Sequence, residues 1–271
     1  MLVLAACKGA SSGADDGDAG LPQRGGDAGD ASTGADAEAG TISVTSAATP
    51  LQPAIAPDSI AAARGAGLAS ADAGTDSTTL PTDLLGTRVT LGDRAVGLFG
   101  VSDGEIRFLV PSDAPLGQTT VTATTADGRT FRGDVAVNAL APAIFTAGGA
   151  ANGPPAAYLV RVVDGGQTNE DVARFDATQG KWVPIALDVV TGSVVLVLTT
   201  TGLRARSSLS GVSASIGGAA ASVLYAGPYP SYEGADQLNV AVPSSLAGRG
   251  AVTLGLVVDG VPSNLVDLVV Q

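Results

Sequence analysis

The sequence predicts an all-β fold, with two tandem β-sandwich modules carried behind a disordered amino-terminal tether. Three observations predict it. Residues 105–111, EIRFLVP, return at 237–243 as QLNVAVP, and the turn Asp127-Gly128 returns as Asp259-Gly260, both displaced by 132 residues. Two landmarks at one offset define a repeated unit of roughly 100 residues, the size at which a sandwich closes a core. The composition suits strands and turns: Val, Thr and Ala abound, 37 Gly and 15 Pro supply bends, and Lys occurs only at Lys8 and Lys181. Residues 8–41, by contrast, are almost wholly Gly, Ala, Asp, Ser and Thr, a composition that cannot bury a core.

At the amino terminus, Leu4-Ala5-Ala6-Cys7 resembles a bacterial lipobox, in which small residues before a cysteine allow leader cleavage and the thiol is linked to diacylglycerol. Cys7, the single cysteine, is therefore the candidate lipidation residue, and residues 1–7 read as the end of a lipoprotein-type leader. The alternative is a cysteine without a role near a ragged terminus. The six residues before Cys7 lack a basic n-region and are shorter than an h-region of about 7–15 residues, as a start codon assigned too late would leave them. Three acyl chains would hold firmly, since two lipid signals already give stable attachment. Residues 8–41 then serve as a solvated spacer with a reach on the order of 30 Å. They also contain a G-x-S-x-G pattern at 9–13, but that nucleophile elbow works only on a strained strand-to-helix turn with a histidine partner.

The first module is expected over 42–140. Residues 55–68 read as an early strand ending in a glycine-rich bend, and 69–81 as a loose loop. Residues 88–91 run into Gly92-Asp93 and return over 95–99, a hairpin. A strand over 105–110 is ended by Pro111; 119–125 and 130–137 are joined by the Asp127-Gly128 turn. The second module, 141–271, repeats this plan with a central strand over 192–203, a hairpin at Gly217-Gly218 and a proline-ended strand over 237–242. Counting between landmarks, the first copy has ten extra residues after Leu68 and the second has seven extra before Pro243. Residues 141–190 have no evident counterpart; segments at 158–163, 172–175 and 181–185 predict a β-meander inserted at about 156–187 that extends or caps the second module.

A family resemblance rests on named residues. APDSI at 56–60 with GAGL at 65–68, the VTLG hairpin at 89–92, the proline-ended strand and APAIF at 141–145 resemble the IPT/TIG-type immunoglobulin-like domains of bacterial secreted proteins. VARF at 172–175, GLR at 202–204, RSSLS at 206–210, IGG at 216–218, QLNV at 237–240 and SLAGRG at 245–250 are similar to the Solibacter-type extracellular C-terminal domain family. The resemblance covers about 42–271 and is stronger in the second half. It implies two tandem immunoglobulin-like sandwiches and an extracellular location, and brings no catalytic residues.

Composition excludes several classes of function. Histidine is absent, which removes Ser-His-Asp and Cys-His catalysis and most zinc sites. A net charge of -12, with the twelve Arg scattered, argues against nucleic acid as a partner. No cofactor or metal is expected. Acidic groups at Asp103 and Glu105, and at Asn169-Glu170-Asp171 near Asp164, are candidate calcium ligands that read more simply as solvated turns. Ser207 and Ser208 beside Arg204 and Arg206 read as turn chemistry. The one aromatic-dense segment is 225–233, where Tyr225, Tyr229, Tyr232 and Glu233 are the candidate ligand-binding residues: aromatic faces beside a carboxylate stack on sugar rings. Packing over a sandwich end is the commoner use of such a segment, and Trp182 likewise reads as core of the meander.

The reading is of a non-enzymatic structural or adhesive protein of the bacterial surface, anchored to the outer membrane through a lipid on Cys7. Its partner would be a cell-envelope protein or a polysaccharide. The alternative is a carbohydrate-binding protein that attaches the cell, or an associated protein, to polysaccharide.

Overall fold

The computed structural model describes residues 40–271 apart from Asp76 and Thr78. The expectations for Cys7, for the pattern at 9–13 and for the tether up to residue 39 lie outside the described residues. Among the described residues, every regular element is a strand or a short 3-10 turn. The fold is all-β.

Residues 40–137 build two sheets. One has the strand order Gly40–Thr41, Thr130–Val137, Gly117–Thr124, Arg88–Leu91, Arg94–Ala95, with Ala54–Ile55 also paired to Thr130–Val137. The other runs Ser43–Ser46, Ile60–Arg64, Glu105–Leu109, Leu98–Val101, Ala73–Gly74. Their inner faces share one core, to which the first contributes Val89, Val121 and Phe131 and the second Ala61, Ile106 and Phe108. Strand periodicity explains the sorting: in Glu105–Leu109, Ile106 and Phe108 are fully buried while Glu105 and Arg107 point the other way.

Residues 143–270 repeat this arrangement. One sheet is ordered Gly166–Asp171, Ala157–Val163, Ser193–Thr201, Asp236–Ala241, Val223–Pro228; the other is ordered Ala186–Leu187, Val266–Val270, Gly250–Val258, Val212–Ile216, Ala219–Ala221. Leu159, Leu196 and Leu238 meet Ile216, Leu254 and Leu268 in a second core. In both halves a two-residue strand, Ala54–Ile55 or Ala186–Leu187, pairs in parallel with the end of the closing strand. These two short strands lie 132 residues apart, so the repeat reaches beyond its sequence landmarks.

Five local expectations change. The early strand over 55–68 is divided, Ala54–Ile55 pairing in one sheet and Ile60–Arg64 in the other. The return strand over 95–99 is divided: Arg94–Ala95 closes the hairpin, the chain crosses between sheets at Val96 and Gly97, and Leu98–Val101 joins the opposite sheet. Val96 and Leu98 are both buried, so unbroken apolar character conceals the crossing. The second half crosses at the same point, between Ala219–Ala221 and Val223–Pro228. The loose loop over 69–81 contains the short edge strand Ala73–Gly74. The meander is also narrower than expected. Ala157–Val163 takes the place of Ser43–Ser46 and Ala186–Leu187 that of Ala54–Ile55, which leaves residues 166–184 as the stretch without a counterpart. That stretch contains the edge strand Gly166–Asp171 and a separate ribbon of Ala173–Asp176 with Lys181–Pro184. Finally, the aromatic segment is a loop only from Tyr229 onward, because Val223–Pro228 is a strand.

The halves meet through small apolar side chains. Ala48, Ile60 and Ala62 pack with Ala143, Phe145, Ala156 and Ala235. The Ile60 N–H donates to Thr201 Oγ1 at 3.0 Å across the joint.

Candidate functional site: an aromatic cleft at the joint

The loop at 229–235 turns the chain from Val223–Pro228 into Asp236–Ala241, and it is held from below. Thr201 Oγ1 donates to the Gly234 carbonyl at 2.6 Å and Thr200 Oγ1 to the Asp236 carbonyl at 3.1 Å. Gly234 is left-handed at φ 70°, and a Cβ there would lie 2.8 Å from side-chain carbons of Ile60 and Leu109. Only glycine lets the loop sit this close to the first half. Arg204 Nη2 donates to the Ala235 carbonyl at 2.9 Å. The Asp236 side chain, fully buried, accepts the Leu203 N–H at 2.9 Å and the Arg204 Nε–H. Burial pushes the Asp236 carboxyl up, against the pull of these donors and of the positive charge on Arg206.

Trp182 approaches from the ribbon. Phe175 meets it edge to face with ring centroids 6.1 Å apart. On another side the indole lies against the backbone of Gly148, where a Cβ would be 2.4 Å from Trp182 Cδ1 and φ is 76°.

Between the loop, the ribbon and the first half is a cleft of about 200 Å³. Phe145, Tyr158, Trp182, Tyr229 and Tyr232 line it, with Thr199 and Asp171 from the second half and Ile60 and Arg107 from the first. The chain has only ten aromatic residues, and five of them are here. The rings of Tyr229 and Tyr232 are 5.4 Å apart and tilted by 56°. Burial, reinforced by the neighbouring Tyr158 and Tyr232, raises the Tyr229 hydroxyl above its ordinary value, so it stays a neutral donor and acceptor. The lining therefore combines apolar ring faces with phenol, indole, guanidinium and carboxylate groups.

Of the sequence-predicted residues, Tyr229 and Tyr232 line the cleft, while Tyr225 and Glu233 are not part of its lining. Tyr225 sits on a strand, 39% exposed, and its hydroxyl donates to the Pro228 carbonyl at 3.2 Å. Glu233 is exposed in the loop. Trp182, expected as core, is only half-buried and lines the cleft. Phe145, Tyr158 and Arg107 are not among the sequence-predicted site residues, and Asp171 is predicted only as a calcium candidate; the scarcity of aromatics is the available signal, since any cluster among so few residues is conspicuous.

The acidic candidates have other partners. Asp103 accepts the Gly67 N–H at 3.1 Å, and Glu105 is held by Arg64 at 2.8 Å and Arg107 at 2.6 Å. Residues 169–171 belong to a strand rather than a turn, and Glu170 faces Arg161, whose Nε and Nη2 donate to its two oxygens. Among the described residues, no group of three acidic or cysteine side chains gathers as a metal site would require. Ser207 donates through its N–H and its Oγ to Asp259, each at 2.6 Å, which ties one turn to another.

No family model matches the chain, and no curated protein matches it. Among solved structures it is similar to SGBP-B of the Bacteroides ovatus mixed-linkage glucan utilization locus, determined in complex with a mixed-linkage heptasaccharide. The identity is 11% and the TM-score 0.34, over 81% of this chain and 43% of that one. The chain thus spans less than half the length of that protein.

Proposed function

We propose that this chain is a non-enzymatic carbohydrate-binding protein of the bacterial surface, built from two immunoglobulin-like sandwiches of the IPT/TIG type. A lipid on Cys7 and the solvated tether display it, and the cleft between its halves takes a sugar. The observation that carries the reading is the gathering of five aromatic side chains beside Arg107 and Asp171 in one cleft. Sugar rings offer apolar C–H faces to aromatic faces and hydroxyls to polar groups at the rim, and this lining supplies both. A non-catalytic role fits the lining as well. It has one carboxylate, Asp171, whereas hydrolysis of a glycosidic bond ordinarily uses a facing pair.

The test is retention of the full-length protein on a panel of insoluble polysaccharides. Wild type is expected to bind at least one and to be released by soluble fragments of it. Trp182→Ala and Tyr232→Ala are expected to weaken retention about tenfold, or about 1.4 kcal/mol. Failure of wild type to bind any polysaccharide removes the sugar reading and leaves adhesive display of the two modules. Anchoring is tested separately: Cys7→Ser, expressed with a complete leader, should lose lipid labelling, and an unlabelled, soluble wild type overturns the anchor.

A further inference from the structure

We infer that the cleft is one end of a platform that crosses the outer face of the second-half sheet as far as Tyr225, so that the ligand is a linear glycan of several rings. This rests on the sugar-binding reading above and extends it. Strand register places Tyr158, Val197, Asn239 and Tyr225 in one row across four strands, with Asp171 opposite Tyr158 at its end. The flanking rows, Leu159 with Leu196 and Val240, and Leu198 with Leu238 and Ala226, belong to the core, so the row between them faces away from it; Val197 is nearly buried among its neighbours, and the accessible groups of the row are Tyr158, Asn239 and Tyr225.

Tyr158 and Thr199 on this face line the cleft, which makes the two surfaces continuous. At the far end the Tyr225 ring is stacked down on Gly227, where a Cβ would be 2.8 Å from its hydroxyl oxygen. Its hydroxyl is tied to Pro228, leaving an exposed ring in a defined position. Between the tyrosines, Gln237 Nε2 donates to Asn239 Oδ1 at 2.9 Å. That bond orients both amides and leaves Gln237 Oε1 and Asn239 Nδ2 for a ligand, and sugar hydroxyls match both types of group. Three strand gaps separate Tyr158 from Tyr225, about 14 Å. An extended pyranose chain advances by a similar step per ring, so the row accommodates about one ring per strand.

The first half shows that the sheet itself does not require these tyrosines. Its matching row is Thr45, Ala62, Arg107 and Gly100, with a bulge at the same place beside Leu98 as the second half has beside Val223. Both positions occupied by Tyr in the second half are non-aromatic there. The same frame folds with Thr and Gly at the two ends, which points to a use for the aromatic pair other than folding.

The experiment is calorimetry on the full-length protein with a length series, disaccharide to hexasaccharide, prepared from the polysaccharide that retains it. Affinity is expected to rise with length until about four rings and then level off. Tyr225→Ala is expected to weaken hexasaccharide binding about tenfold and leave the disaccharide unaffected, whereas Trp182→Ala weakens both. A disaccharide that binds as tightly as a hexasaccharide, or a Tyr225→Ala protein with unchanged hexasaccharide affinity, overturns the platform while Trp182→Ala still tests the cleft. Retention of wild type on no polysaccharide overturns both.

Discussion

In the first half, the outward row of Thr45, Ala62, Arg107 and Gly100 is closed except at Arg107, which reaches the cleft: Thr45, Ala62 and Gly100 are buried, and Ala62 packs in the cluster that joins the halves. In the second half the matching Tyr158, Asn239 and Tyr225 keep part of their surface in water, and Val197 alone is buried. The ladders beneath the two rows correspond residue for residue, but the edges differ: Ala73–Gly74 pairs beside Gly100 in the first half, and Gly166–Asp171 beside Tyr158 in the second. At the position of Asn239 the first half has Arg107, which is drawn into an ion pair with Glu105 beside Arg64. Small and self-paired groups suit a face that must be sealed. Amides and tyrosines suit one that stays open. One frame has served as a joint in one copy and as a surface in the other.

The largest way to break the comparison is at Asp236, which takes the place of Gly104 in the first copy. In the first half the turn before the strand is tied to the Gly67-Leu68 bend through the exposed Asp103, whereas the longer second-half loop is tied to a buried carboxylate. Asp236→Ala strands the Leu203 N–H and Arg204 together, and it is expected to lower stability by about 3 kcal/mol. Asp236→Asn keeps an acceptor and avoids burying a charge, so its loss should be smaller. Urea denaturation of the two variants checks the order; equal losses would show that the charge, not the hydrogen bonds, holds the loop.

A second test is Ala62→Leu. Ala62 is fully buried where the halves meet, so added methylenes force the joint apart at about 2 kcal/mol. Val197 occupies the matching place in the second half and is itself nearly buried, at 4% exposure, but Val197→Leu adds one methylene where Ala62→Leu adds three carbons, so its loss should be the smaller. Thermal melts of the pair measure the asymmetry directly, and similar losses would mean that the second-half face is covered too.

Gly148→Ala is smaller in stability and larger in function. A side chain in the left-handed region costs about 1 kcal/mol, and the methyl group displaces the Trp182 indole it would otherwise touch. Retention on polysaccharide is expected to fall about tenfold while the melting temperature falls by only about 2–4 °C. Unchanged retention would remove Trp182 from the binding surface.

What could be read beforehand divides along physical lines. The strand Glu105–Leu109 is legible because its side chains alternate between core and outer face, and the turn at Asp127-Gly128 because few residues tolerate that backbone. The crossing at Val96 and Gly97 is not, since both sheets bury apolar residues and the pattern runs on unbroken. In the cleft, Tyr229 and Tyr232 stand close together in sequence, so their proximity is legible. Arg107, Phe145, Tyr158 and Asp171 come from four separate segments, and only register and the packing of the halves bring them together. Ser43–Ser46 and Ala157–Val163 hold matching places with unrelated sequences, so sequence alone makes the insertion look wider than it is.

The smallest expected effect concerns the edge strand that only the second half possesses. Arg161, itself buried, grips Glu170 through two nitrogens and also donates to the carbonyls of Asp188 and Thr191, so it ties Gly166–Asp171 to the turn before the central strand. The hydrogen bond from Arg161 holds the Glu170 carboxyl below its ordinary value. A carboxyl lowered in the folded state contributes stability above its unfolded value and loses it as the pH falls through the folded one. Acidification below the ordinary glutamate range should therefore loosen this strand first. Glu170 is partly exposed, so water screens the pair and Glu170→Gln at neutral pH should cost only about 0.3 kcal/mol. Hydrogen exchange of the 166–171 amides on descending pH is the sensitive measurement. Wild-type protection should fall in acid and the Gln variant's should stay flat; a wild-type profile as flat as the variant's would detach the edge strand from this ion pair.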